Sequence, residues 1–138
     1  MYKRLIAVSA IGLVIAAGIF GTAVAQKVHA PKGVWIGMLA NLSDIHDITA
    51  SLMVFNMDRI ASTATELAER EIWVSQLPGL PDADKEGYEK VAEAAEKLAA
   101  AAKTGEEQDV IARIADVVAA CTACHYDLRD EERRQKME

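Results

Sequence analysis

The sequence predicts an all-α protein that folds as an antiparallel up-down-up-down four-helix bundle. Through four segments of about 20 residues each, apolar residues recur at alternating steps of three and four, which is the spacing of one helical face. Strand-like alternation and internal repeats are absent from the sequence, and short loops join the segments. Helices of similar length with short connections pack as antiparallel neighbours in a bundle.

The first 25 residues precede this helical region and differ from it in composition. A pair of basic residues is followed by an apolar run over residues 5–20 and then by Ala23 and Ala25. This order predicts a secretory signal peptide that is cleaved between Ala25 and Gln26. The apolar run is slightly long for a signal peptide, so a retained membrane anchor is the alternative. Cleavage leaves one domain, residues 26–138, which we expect in the periplasm.

The exported part of the chain is acidic. Removal of residues 1–25 takes away two basic residues and no acidic ones. The exported part then carries 13 Lys and Arg against 21 Asp and Glu, a net charge of −8. A negative surface repels the phosphate backbone, so we expect no nucleic-acid partner and favour basic proteins instead. At 113 residues, the exported part is large enough for one hydrophobic core and too small for two.

Helices one and two are predicted on either side of Asn56. The first runs from Val34 to Phe55 and has one apolar face. The members of that face are Trp35, Met38, Leu42, Ile45 and Leu52. The second helix begins after Asn56, whose side chain suits an N-cap, and ends before the Pro-Gly-Leu-Pro turn at residues 78–81.

Helices three and four are predicted on either side of Gly105. The third runs from about Asp82 to Lys103, is rich in Ala, Glu and Lys, and stops at the glycine. Thr104 and Glu107 have the spacing of a capping box, which predicts the start of the fourth helix. The fourth apolar stripe carries both cysteines of the chain and faces inward.

The fourth helix contains the motif Cys121-Thr122-Ala123-Cys124-His125. Two thiols three residues apart can add to the two vinyl groups of haem, and the next residue can supply an imidazole to the iron. On a helix these three side chains share one face. The sequence therefore predicts one covalently attached haem c per chain, with Cys121 and Cys124 as the attachment points and His125 as the fifth iron ligand.

Three other uses of these cysteines are less well supported. A thioredoxin-type dithiol belongs at a helix N-terminus in a strand-rich fold, where the helix dipole lowers the thiol pKa. A zinc site needs a fourth ligand, and His29 and His46 each stand alone in the sequence. A disulfide would leave the inward-facing His125 without a role.

The motif and its place near the end of the last helix resemble the cytochrome c prime family, and the resemblance spans residues 34–130. It implies an exported four-helix bundle with haem attached near the end of the last helix. It also implies that Arg129, which falls where the family commonly has an arginine, lies near a haem propionate. The aromatic residue usual just before that arginine is Leu128 here, and a family arginine in the first helix is Val34.

The residue opposite His125 decides the function, because a filled sixth position on the iron favours electron transfer and an open one binds gases. In this type of bundle, the start of helix one lies level with the end of helix four. Met38 is therefore level with His125, whereas His46 lies ~12 Å further along the axis. The resemblance points to Met38 too, since this position is methionine in low-spin members and leucine or phenylalanine in five-coordinate members.

The same argument places other side chains around the haem. The candidates to pack against the ring are Trp35, Leu39, Leu42, Val91 and Val118, and an ordinary core position is the alternative for each. Four aromatic residues are expected at this end of the bundle: Trp35, Trp73, Tyr88 and Tyr126.

The sequence thus predicts a one-electron carrier whose redox partners are basic proteins. The alternative is a five-coordinate haem protein that binds nitric oxide or carbon monoxide, and a helical interaction domain without haem is a third hypothesis. Paired carboxylates, a nucleophile with its base and a phosphate-binding loop are not found in the sequence, so we expect no enzymatic activity. Members of the family often dimerise through their first two helices, and the sequence leaves a homodimer open.

Overall fold

The structure, a computed structural model, describes residues 32–135 and Met137. Its helices are α1 (Lys32–Met53), α2 (Met57–Ser75), α3 (Asp82–Thr104) and α4 (Glu107–Gln135), and the described residues contain no strand. The predicted all-α four-helix bundle is confirmed. The predicted signal peptide and its cleavage site lie outside the described residues. Within the described part of the chain, no helix has the length and apolar character that crossing a membrane requires.

Local signals in the sequence set several helix ends. Oδ1 of Asn56 accepts a hydrogen bond of 3.0 Å from the backbone N–H of Arg59, so Asn56 is the N-cap of α2 as predicted. Gly105 adopts a φ of +78°, and this left-handed conformation ends α3 at the predicted glycine. The sequence therefore places the loops correctly to within a few residues.

The predicted capping box at the start of α4 is wrong. Thr104 belongs to the last turn of α3, where its hydroxyl donates to the carbonyl of Ala101 at 2.7 Å. The Thr104 oxygen lies 3.4 Å from the backbone nitrogen of Glu106 rather than pairing with Glu107. The carbonyl of Glu106 accepts from the N–H of Val110 at 3.0 Å, so Glu106 occupies the N-cap of α4.

Two clusters of buried side chains form the core, one toward each end of the bundle. The larger lies toward the loops that join α1 to α2 and α3 to α4, and its largest members are Ile48, Ile60, Leu67, Leu98, Val110 and Val117. The smaller, at the opposite end, consists of Val34, Val74, Leu80, Tyr88 and Cys124. The cysteine motif therefore reaches the smaller cluster, where the sequence also places the start of α1.

Each helix packs against the next one along the chain, but α1 and α4 stand apart. Among the described residues, no Cα atom of α1 lies within 8 Å of a Cα atom of α4. Gly37 brings α1 close to α2 instead, because a Cβ atom there would lie 3.0 Å from Cγ2 of Val74. We call the resulting opening between α1 and α4 the seam.

Candidate functional site

A cavity of about 310 Å³ lies at the seam, and we call it the seam cavity. Its lining comes from all four helices: Met38, Asn41, Leu42 and Ile45 of α1, Glu71 of α2, Tyr88 and Val91 of α3, and Cys121, Cys124 and His125 of α4. Leu42 lines this cavity while 70 % of its surface remains exposed, so the cavity is open to solvent through the seam. Most of the lining is apolar, which suits an apolar ligand.

The α4 wall of the cavity brings together the three side chains of the cysteine motif. Cys124 is buried, Cys121 is half-buried and His125 is exposed. The two cysteines are free rather than joined in a disulfide. Gly87 of α3 leaves room for Cys124, because a Cβ atom on Gly87 would lie 2.9 Å from the Cys124 Sγ atom. Two thiols and one imidazole therefore face a single space.

The environment of the thiols argues against a thioredoxin-type dithiol and against a zinc site. Burial, followed by the nearby Glu71 carboxylate, raises the pKa of Cys121 above its ordinary value, and the same two leading causes raise the pKa of Cys124 to about 11. A thioredoxin-type dithiol needs the opposite, a lowered thiol pKa. For zinc, no three His, Cys, Asp or Glu side chains within the described residues converge as a metal site requires.

The α1 wall consists of four side chains at helical spacing: Met38, Asn41, Leu42 and Ile45. Met38 is half-buried and packs against the smaller core cluster. It lines the cavity from α1, whereas His125 lines it from α4. The other α1 residue considered as a ligand, His46, is exposed and is not part of the lining.

Two further predicted site residues lie outside the lining. Trp35 is 65 % exposed, and the Arg129 guanidinium stacks over the Tyr126 ring at 4.6 Å from its centroid. Of the four aromatic residues expected around the pocket, Tyr88 lines the cavity, while the other three are more than half exposed. The ring of Trp73 packs over the start of α1 instead, which the periodicity of α2 alone does not specify.

A buried polar network joins α1 to α2 beside the cavity. Nδ2 of Asn41 donates a hydrogen bond of 2.6 Å to Oε1 of Glu71, and Nη1 of Arg70 donates one of 3.0 Å to Oδ1 of Asn41. The same Arg70 group forms an ion pair with Asp44. Burial raises the pKa of Glu71, and the hydrogen bond from Asn41 opposes that rise.

Sequence reasoning missed Glu71, although a signal for it was present. Glu71 lies four residues after Leu67 and three before Val74, so it occupies the inward stripe of α2. Its exposure is 1 %, and it lines the cavity. A carboxyl group on an otherwise apolar helical face is unusual enough to mark a candidate site.

A larger hollow of about 710 Å³ lies between α3 and α4 and has a different character. Six charged side chains line it: Asp84, Glu86, Lys90, Asp127, Asp130 and Arg133. Cys124 is the motif residue that reaches both spaces. Because its walls carry so many charges, this hollow is poorly suited to an apolar ring system.

The side chains that line the seam cavity suit a haem. A porphyrin ring needs apolar walls, which Leu42, Val91 and Tyr88 provide. Thioether attachment needs two free thiols, and iron coordination needs an imidazole; Cys121, Cys124 and His125 offer these groups to the same space.

Comparison with known proteins agrees with this chemistry. A family model described as Cytochrome C' matches residues 38–129, which is well over half of the chain and includes every residue that lines the seam cavity. No curated protein and no solved structure shows a significant match.

Proposed function

This chain belongs to the cytochrome c' family, and we propose that it carries single electrons through a low-spin haem with two axial protein ligands. Membership of the family implies a c-type cytochrome with haem c as its cofactor. The iron of that haem supplies the chemistry, since it alternates between the ferric and ferrous states. The chain's own residues attach the group, orient it and limit its contact with water.

We assign one haem per chain, bound covalently through Cys121 and Cys124, with His125 as the fifth iron ligand. The observation that carries this assignment is the convergence of the three side chains on the seam cavity. The raised thiol pKa values of both cysteines argue against a redox dithiol, which needs lowered ones.

Met38 is the proposed sixth ligand. It lines the cavity from the helix opposite His125. Met57 instead packs against the larger core cluster, and Met53 is 68 % exposed. A thioether ligand favours ferrous iron and so raises the reduction potential, and buried apolar side chains of the cavity wall, such as Val91, act in the same direction.

We propose that Trp35 contacts the haem ring, as the helical register predicts. We also propose that Arg129 pairs with a haem propionate, as the resemblance implies. Both residues are exposed, on α1 and α4 respectively, and each lies about one helical turn from a proposed iron ligand, Met38 or His125. We propose that the protein does not convert a substrate.

The proposal extends to location and partners. The signal peptide directs the chain to the periplasm and is removed near Ala25 and Gln26, and the acidic mature chain receives and delivers electrons through basic redox proteins. A homodimer is compatible with the exposed apolar residues Ile36 and Leu39 on α1.

A five-coordinate gas-binding protein is the second candidate. The observation that favours it is the open seam, because no backbone contact between α1 and α4 holds Met38 against the iron. Nitric oxide or carbon monoxide would then bind where Met38 is proposed to bind.

Visible absorption spectra of the oxidised and reduced holoprotein, with and without carbon monoxide, test the proposal. We expect low-spin spectra in both states and no rapid change on adding carbon monoxide to the reduced protein. A high-spin ferrous spectrum that shifts at once with carbon monoxide would instead support the gas-binding function. A colourless protein, made where haem can be attached, would contradict both.

A further inference from the structure

Glu71 is the one carboxyl-bearing side chain that is buried among the residues whose burial the structure describes. The assigned roles of attachment and ligation do not use it. Its hydrogen bond comes from Asn41, and from neither of the proposed iron ligands. A buried acid that lines the proposed cofactor cavity must respond to any change of charge inside that cavity.

We propose that Glu71 is a redox-linked proton site, which takes up a proton from solvent when the iron in the seam cavity is reduced and releases it when the iron is oxidised. The inference rests on the proposed one-electron function. In the balanced step, a redox partner donates one electron that converts ferric to ferrous iron, and one solvent proton converts the Glu71 carboxylate to the carboxylic acid. No other bond forms or breaks.

Among the chain's own groups around the cavity, Glu71 is the one left to respond. On α1, Asp44 is paired with Arg70, so these two charges offset each other. On α3, Tyr88 is buried and its pKa is raised to about 12, so it stays neutral at physiological pH. On α4, the cysteines become thioethers and His125 becomes a ligand under the proposed function, so none of them is left to take the proton.

Geometry gives the proton a place and a route. Oε1 of Glu71 accepts the 2.6 Å hydrogen bond from Asn41, which leaves Oε2 to carry the proton. Glu71 lines the seam cavity, so its carboxyl group lies beside a space that opens to solvent. Water reaches the same cavity through the seam beside the exposed Leu42.

The low polarity of the seam cavity couples reduction of the iron to protonation of Glu71. An added electron makes the cavity more negative, and in a poorly screened site this raises the affinity of a carboxylate for a proton. Burial already raises the pKa of Glu71 and so moves its titration toward physiological pH. By linkage, the reduction potential must fall as pH rises from the pKa of Glu71 in the oxidised protein to its higher pKa in the reduced protein.

The test measures the reduction potential of the holoprotein by spectroelectrochemistry from about pH 5 to about pH 9, a range that lies above the ordinary pKa of glutamic acid. For the wild type we expect a potential that falls with pH, with a slope approaching about 59 mV for each tenfold change in proton concentration. Glu71→Gln keeps the acceptor for Asn41 but binds no proton, so its slope should be smaller. Glu69→Gln, at an exposed position of the same helix, removes an equal charge and should keep the wild-type slope.

Equal slopes in the wild type and Glu71→Gln would overturn the inference, because any remaining slope would then come from other groups. If Glu71→Gln fails to fold, redox-difference infrared spectra of the wild type decide instead. Reduction should then produce the C=O band of a protonated carboxyl that shifts in D₂O, and absence of that band overturns the inference. A reversible one-electron wave without pH dependence would reject the proton site alone, whereas absence of the wave would reject the electron-carrier function.

Discussion

The Sγ atom of Cys124 lies 2.9 Å from the point that a Cβ atom on Gly87 would occupy. This approach of α3 to α4 fixes where the buried thiol of the motif can sit, next to the seam cavity. Real Cβ atoms essentially never come so close to another heavy atom, so any side chain at position 87 must displace the sulfur or the backbone. Gly87 therefore bears directly on the attachment of the cofactor.

We expect Gly87→Ala to reduce the yield of covalently attached haem and to lower the free energy of unfolding. In a helix interior, alanine is ordinarily favoured over glycine by about 1 kcal/mol, so propensity alone predicts a more stable protein. The collision with Cys124 opposes this gain, and overpacking a core typically costs about 1–3 kcal/mol. Haem content per chain and guanidinium unfolding measure the two effects.

The matched control is Glu89→Ala, which changes an exposed residue of the same helix to alanine. It should retain full haem content and wild-type stability to within about 0.5 kcal/mol, as surface changes do. A Gly87→Ala protein that is fully loaded with haem and more stable than the wild type would show that α3 can shift to accept the Cβ atom without losing stability.

Met38→Ala should convert the reduced protein from low-spin to high-spin and let it bind carbon monoxide rapidly. The reason is that alanine supplies no ligand, which leaves the sixth position open. Absorption spectra with and without carbon monoxide provide the measurement. Met53→Ala, which truncates an exposed methionine of the same helix, should leave the spectra unchanged. Identical spectra for the wild type and Met38→Ala would remove Met38 from the iron.

The cysteines should determine the mass of the denatured chain. For the wild type, made together with haem-attachment machinery, we expect the mass of the mature polypeptide plus one haem. The double variant Cys121→Ala/Cys124→Ala should have the mass of the polypeptide alone, because no thiol remains to form a thioether. Ala123→Ser changes one of the two exposed residues between them and should keep the added mass. Haem that remains bound to the denatured double variant would contradict the assigned attachment points.

Much of the fold could be predicted because its signals are local. Asn56 and Gly105 act through the geometry of a single turn, so a reader of the sequence finds the helix ends that they set. Thr104 shows the limit of such signals, since its hydroxyl had two possible partners and bonds back into α3.

The sequence could place Met38 and His125 on one cavity for a related reason. Both line the seam cavity, because helix length and antiparallel order fix axial position. Rotation of a helix about its axis and its distance from a neighbour depend on packing, and the sequence encodes these less directly. Trp35 therefore lies exposed, and the partnership of Glu71 with Asn41 became visible only in three dimensions.

Electron transfer with a basic redox protein should slow as salt rises. The chain has an excess of acidic residues, and attraction between opposite charges accelerates encounter until ions screen it. Stopped-flow rate constants should fall when ionic strength increases from about 10 mM to about 200 mM, where the Debye length becomes shorter than 10 Å. An uncharged small-molecule reductant is the control and should show little dependence. A salt-independent rate with the basic protein would argue against electrostatic steering.

The stability of the protein should depend on pH through Glu71. Its pKa in the folded protein is raised above the ordinary value of 4.5, chiefly by burial. Between these two values the folded state binds more protons than the unfolded state, so stability falls as pH rises. The contribution of Glu71 is therefore fully present below the unfolded pKa and is lost as pH rises through the folded pKa.

Replacing Glu71 with glutamine should remove that part of the pH dependence. Guanidinium unfolding of the holoprotein should show the wild type losing more stability than Glu71→Gln as pH increases from 4.5 to neutrality, by about 1.4 kcal/mol for each tenfold difference in proton affinity between the folded and unfolded states. Glu69→Gln, exposed on the same helix, should follow the wild-type curve. Parallel curves for the wild type and Glu71→Gln would mean that water or a rearranged Asn41 solvates the carboxylate well enough to cancel the effect of burial.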